Sequence, residues 1–251
     1  MLKRFPLLTQ VARLVTISGL LVIVPASVKA DQEGDVIPYT IETPDQQYVF
    51  VMLNSGSFDN PRTLHSDKYP KSGMYRNDGS AMPLWAVEWS AYVFLPSDGI
   101  HVIRKGRWAR IGNYDEEAIA FFANGEMLKS YRVRDLVDFP SLLPRTSSHY
   151  QWQKPILVND RPATSTLQLF GMGSIEFESG VVFDESSHTM KLATLQGDVY
   201  VFDIRTGEII SAHRPIRIAI LVLGLFLLLI AFAVYFFRLR KRTARSHLST
   251  K

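Results

Sequence analysis

Ala118-Ile119-Ala120-Phe121-Phe122-Ala123-Asn124-Gly125-Glu126-Met127-Leu128-Lys129-Ser130-Tyr131-Arg132-Val133 decides the fold class of this chain. Asn and Gly both tolerate positive φ, which a two-residue hairpin turn demands, so 118–123 and 126–133 read as antiparallel strands. The same grammar extends outward in both directions. Runs at 91–95 and 100–104 flank Pro96-Ser97-Asp98-Gly99, and runs at 174–178 and 181–184 flank Ser179-Gly180. Runs at 190–195, 199–204 and 208–211 are split by Gln196-Gly197-Asp198 and Arg205-Thr206-Gly207, and 48–53 reads as a further strand. At least nine short strands at short spacing predict a mainly β domain, built as an antiparallel sandwich, a half-open barrel or a meander. One helical turn is expected at 134–137, ended by Pro140. Residues 54–82 and 142–154 read as irregular. About 30 residues is long for a structureless loop, and loops on β scaffolds often carry function.

The C-terminal part speaks a different language. Residues 218–237 form an unbroken apolar run, followed by Arg238, Arg240, Lys241, Arg242 and Arg245. Twenty helical residues reach about 30 Å, the thickness of a bilayer's hydrocarbon core. The basic cluster is expected to stay in the cytoplasm, which leaves everything before the helix outside it. At the other end, Lys3, Arg4 and Arg13 precede the apolar stretch 14–24, Pro25 breaks it, and Val28-Lys29-Ala30 offers small residues to a signal peptidase. The expected organisation is a signal peptide at 1–30 cleaved after Ala30, a β-rich domain at 31–211, a linker at 212–217, a transmembrane helix at 218–237 and a basic tail at 238–251. The alternative at the N-terminus is an uncleaved anchor over 7–28. The expected location is a bacterial inner, or equivalent, membrane crossed once.

Charge supports this partition. All 24 acidic residues lie between Asp31 and Glu208, and residues 31–217 hold 18 Lys and Arg, a balance of −6. The basic overall pI therefore comes from the targeting and topology segments and does not point to nucleic acid. Cysteine is absent, which excludes disulfides, thiolate metal sites and cysteine nucleophiles.

Two resemblances add to this reading. The run Gly197-Asp198-Val199-Tyr200-Val201-Phe202-Asp203-Ile204-Arg205-Thr206-Gly207-Glu208-Ile209 resembles one strand pair of a quinoprotein-type β-propeller repeat. Such a unit has to recur about every 40–50 residues. Here Gly99, Gly125, Gly180 and Gly207 lie 26, 55 and 27 apart, and Asp-x-x-Thr-Gly does not recur. A small propeller is thus the alternative to the sandwich or half-open barrel. A wider resemblance covers about 85–209. It is carried by Trp89-Ser90-Ala91-Tyr92, Ile103-Arg104-Lys105-Gly106-Arg107-Trp108, Ala120-Phe121-Phe122-Ala123-Asn124-Gly125 and Ser148-His149-Tyr150-Gln151-Trp152. The order of these words is similar to exported bacterial β-rich proteins without an assigned activity. It implies a compact envelope domain and carries over no substrate or catalytic residue.

Catalytic spacings are missing. The chain has no Gly-x-Ser-x-Gly, no Ser-x-x-Lys and no His-Glu-x-x-His, and Gly171-Met172-Gly173 lacks the rest of a phosphate loop. Three constellations remain. Asp115-Glu116-Glu117 offers adjacent carboxylates for a cation or for acid–base chemistry, although neighbours in a strand point to opposite faces. Arg104, Lys105, Arg107 and Arg110, interleaved with Trp108, form the one basic patch of the acidic domain. It suits an acidic partner, a lipid head group or a glycan phosphate, or else guards an edge strand. His149 and Trp152, with Ser147 and Ser148, are candidates for a pocket, or for a core histidine. Trp85, Trp89, Tyr92 and Phe94 read as core rather than as a sugar platform. No cofactor and no metal is expected. The expected function is non-catalytic binding, scaffolding or assembly at a membrane, with a membrane-protein partner. An enzyme acting on an envelope polymer or lipid, with a cleft gathering His149, Trp152 and one or two carboxylates of 115–117, is one alternative. A sensor subunit working through a partner is the other.

Overall fold

The computed structural model describes residues 35–57, 60–145, 149–154, 157–158, 161–162, 164–170, 173–178 and 180–246. The leader with Ala30, and Ser147 and Ser148, lie outside these residues. The described chain is mainly β, with several antiparallel sheets and one long C-terminal helix, and no closed barrel forms among the described residues.

The opening hairpin is the centre of the fold. Glu117–Ala123 pairs with Glu126–Arg132 across Asn124 (φ 52°) and Gly125 (φ 84°), the positive pair that the Asn-Gly turn requires. With His101–Lys105 and Val93–Phe94 these strands form a four-stranded sheet. Its residues 118–122 are all buried, because the sheet is covered on both faces. One face presents Ile103, Ile119 and Phe121 to Met190, Leu192, Tyr200 and Phe202 of a five-stranded sheet. The other presents Val102, Ala120 and Phe122 to Tyr39, Phe50, Met52, Met74 and Leu167 of a six-stranded sheet. The central sheet thus lies between the other two large sheets, with one apolar cluster on each of its faces and a third cluster at Val49, Val51, Leu53, Tyr69 and Tyr75. Each large apolar side chain taken from water in these cores contributes about 1.5–3 kcal/mol.

Several boundaries differ from the sequence expectations. Residues 54–82 are not structureless: Asn54–Ser57 pairs with Asn60–Thr63, and Gly73–Arg76 joins the six-stranded sheet beside Tyr48–Met52. Residues 142–154 hold two short strands, His149–Tyr150 and Gln153–Lys154. The helical turn forms at Val133–Leu136, with the Asp135 carboxylate accepting the Arg132 N–H at 2.8 Å. The expected linker at 212–217 is also different. Strand Ile209–His213 pairs along Val199–Asp203 up to its last residue, and the helix Pro215–Ser246 begins after Arg214 alone. Pro at the first helical position loses no hydrogen bond there. The window Pro215–Ala233 is long and apolar enough to cross a membrane, with none of it buried against the domain. The helix continues through Ser246, into the segment expected as a tail.

Candidate functional site

A cleft of about 420 Å³ opens where the central sheet meets the five-stranded one. Its walls are Lys105, Gly106, Arg107 and Trp108 on one side, and His149 to Gln153 with Gly180 and Leu195 on the other. Strand His101–Lys105 ends at Gly106, whose N–H donates to the Ala118 carbonyl at 2.8 Å. The chain then swings out over 106–108 and re-enters as Ala109–Arg110, paired with His149–Tyr150. That two-residue ladder brings together two candidate groups far apart in sequence. Beyond it, the Leu195 N–H donates to the Trp152 carbonyl at 2.9 Å, and Gln153 pairs opposite Thr194. The far wall is thereby tied to the five-stranded sheet.

Within the cleft the Trp108 and His149 rings are in tilted contact, with centroids 3.9 Å apart and planes 30° apart. His149 is 4% exposed, so its ring is wall rather than rim. Below it the Tyr150 and Tyr114 hydroxyls share a hydrogen bond of 2.9 Å. Lys105 and Arg107 are half-buried at the mouth, and Gln151 is exposed. Lys105, Arg107, Trp108, His149 and Trp152 thus share one cavity.

Arg104 does not enter it. Alternation along the strand turns its side chain to the opposite face, where the guanidinium lies 5.2 Å from the Trp89 ring centroid and 4.9 Å from that of Phe122. There it takes the Glu117 carboxylate through Nε (2.8 Å) and Nη2 (2.7 Å). Glu117 reaches this face because the register slips between Glu117 and Ile119, and the extra residue re-aims the side chain.

The other carboxylates are committed elsewhere as well. Glu116 accepts the Arg110 N–H at 2.8 Å and the Asn113 amide at 3.1 Å. Asp115 pairs with Arg132 (3.1 Å) and Arg134 (2.6 Å). The enzyme alternative asked for a cleft gathering one or two of these carboxylates beside His149. The cleft is present, and no carboxylate lines it among the described residues. Trp85 and Trp89 lie against Phe50 in the core shared with the six-stranded sheet, and the Trp85 indole N–H donates to the Gly99 carbonyl at 3.0 Å. Among the described residues no group of three His, Asp or Glu side chains could hold a metal ion.

A second polar cluster, which sequence reasoning missed, joins the domain to the helix. Asp138, whose side chain is 5% exposed, pairs with Arg214 at 3.3 Å and with Arg217 through its other oxygen at 2.5 Å. The Arg214 guanidinium also donates to the Tyr200 hydroxyl (2.7 Å) and the Asp135 carbonyl (2.8 Å). The signal for this cluster was present as two arginines flanking Pro215, but their partner lies 76 and 79 residues earlier, in an irregular segment.

Asp198 lies beside this junction, 1% exposed, and neither carboxylate oxygen has a hydrogen-bond partner among the described residues. Burial, followed by the Asp138 charge, raises its pKa above the ordinary 3.8, against the opposing pull of Arg214, Arg217 and His213. The folded state therefore holds this proton more tightly than the unfolded one. Stability is fullest below the ordinary value and falls as pH rises through the raised one. Asp198→Asn is expected to melt higher than the parent chain at neutral pH, with the gap closing on acidification through that window. A gap of constant size across the titration would contradict this account.

No protein-family model matches the chain, and no curated protein matches it.

Proposed function

We propose that the chain is a membrane-anchored extracytoplasmic protein of a bacterial envelope that binds or scaffolds without catalysing a reaction. In this reading the leader is removed after Ala30 and the β domain faces the periplasm or an equivalent compartment. The helix crosses the inner membrane once, and the basic cluster from Arg238 stays in the cytoplasm. The observation that carries it is the junction: a single residue, Arg214, lies between the last strand and the helix, and Asp138 ties Arg214 and Arg217 to the domain. A domain fixed this closely to its anchor presents its surfaces to whatever lies beside it at the membrane. The wide cleft with its aromatic and cationic lining supports binding rather than acid–base chemistry.

The test is a mild-detergent pull-down of the tagged full chain from native membranes, with partners identified by mass spectrometry. A stoichiometric membrane-protein partner is the expected result. A chain recovered alone, with every envelope property unchanged in a deletion strain, would overturn the scaffold reading.

A further inference from the structure

The cleft has a chemical character and a position, and the two together narrow its ligand. Its described lining holds two cations, Lys105 and Arg107, a histidine and two tryptophans, with amide donors at Gln151 and Gln153. This occurs in a segment, 31–217, whose balance is −6, so the pocket runs against the charge of the domain around it. Guanidinium and ammonium groups beside amide donors suit an oxyanion, and the arginine fork suits phosphate in particular. Indole rings beside them suit the part of a ligand that is neither fully wet nor fully apolar.

The position comes from the turn after Thr189–Thr194. Leu195 lines the cleft, and Gly197, two residues on, lies against the start of the helix: a Cβ at Gly197 would be 3.6 Å from Pro215 Cγ. Two residues of chain span at most about 7 Å. The Gln196 side chain, between them, accepts the Phe139 N–H at 3.2 Å and donates back to its carbonyl, next to Asp138. Leu195, in one wall of the cleft, is therefore at most about 12 Å from the residue at which the apolar window begins. Lysine, arginine and tryptophan are the side chains that favour a lipid–water interface.

We propose that this cleft receives the phosphate of an anionic membrane-lipid head group, with Lys105 and Arg107 on the phosphate and Trp108 and Trp152 beside the glycerol region. This rests on the reading above that the domain lies at the membrane surface, and it adds a ligand to that reading.

The test uses the full chain in two settings. In detergent, short-chain phosphatidylglycerol, short-chain phosphatidylcholine and inorganic phosphate are titrated against tryptophan fluorescence. In nanodiscs of phosphatidylcholine with or without phosphatidylglycerol, hydrogen exchange is followed over 105–108 and 149–153. Binding of the short-chain anionic lipid, and protection in the anionic discs, are expected. Lys105→Gln and Arg107→Gln are each expected to weaken binding about tenfold, the loss of one charge-assisted contact. Arg107→Lys keeps the charge and is expected to recover part of that loss, which separates lost binding from lost folding. Neutralising Arg240 and Lys241 in the basic tail is expected to leave protection over 105–108 unchanged. Inorganic phosphate binding as tightly as the lipid would overturn the lipid in favour of a free oxyanion. Short-chain lipid binding without protection in anionic discs would overturn the placement at the bilayer. No binding by any of the three probes would overturn the pocket assignment, while a partner recovered in the pull-down would still support the scaffold reading.

Discussion

Glu117→Ala is expected to lower the stability of the folded domain by about 3–5 kcal/mol, the cost of removing the carboxylate with which a buried cation is paired. Arg104 is 6% exposed and packs against the adjoining Trp89 and Phe122 rings, which shield it from water on that side. Its two hydrogen bonds to Glu117, at 2.8 and 2.7 Å, are lost together. The comparison that isolates the cause is the double change Arg104→Met with Glu117→Leu, which removes both charges and keeps apolar volume. Urea unfolding followed by tryptophan fluorescence should place the double variant much nearer the parent than either single variant. Equal destabilisation of the single and double variants would show that packing, not charge burial, sets the cost.

Gly106→Ala is expected to cost about 3 kcal/mol or more through overpacking, and to disturb the cleft at the same time. A Cβ at Gly106 would lie 1.7 Å from the Glu117 carbonyl oxygen and 2.9 Å from that of Ala118, so backbone rather than a flexible side chain has to give way. Gly112 provides the control. It has φ +83° and nothing within 4 Å of its Cβ position. Gly112→Ala therefore meets only the left-handed backbone penalty, about 1–2 kcal/mol. A Gly106→Ala chain as stable as the Gly112→Ala chain would show that strand Glu117–Ala123 shifts more easily than its double burial implies.

Local signals carried the elements, and their absence explains the misses. The Asn124-Gly125 hairpin was legible because a tight turn with required positive φ separates two compatible runs that pair. The runs on either side of Ser179-Gly180 are strands as expected, but Gly173–Glu178 and Val181–Asp184 enter different sheets instead of pairing with each other. Strands Tyr39–Glu42 and Gly73–Arg76, four residues each and paired to Tyr48–Met52, were not legible, because a short run between polar segments has too few residues to set a period. The covering of the central sheet on both faces was hidden for a related reason. Which sheet covers each face of a strand such as Glu117–Ala123 is a long-range fact.

The candidate site was legible as two lists and not as one place. Lys105, Arg107 and Trp108 stood out by charge, and His149 and Trp152 by type, but the ladder joining Ala109–Arg110 to His149–Tyr150 is two residues long and leaves no trace in composition. Strand alternation separates Arg104 from Lys105 and could have been applied to the basic patch, as it was to residues 115–117. Glu117 could not have been placed this way, because the bulge that turns it toward Arg104 has no sequence signature.

The absence of a linker between strand Ile209–His213 and helix Pro215–Ser246 makes the chain a lever with no hinge. Membrane helices lean by about 20° on average, and they lean further when their apolar length exceeds the hydrocarbon thickness. If the helix crosses a membrane as proposed, with Arg214 and Arg217 clasped by Asp138, a change in that lean would swing the β sheets instead of being absorbed at a flexible neck. Bilayer thickness would then set the angle at which the domain's faces meet the lipid plane, and the composition of the membrane would steer the domain through its junction.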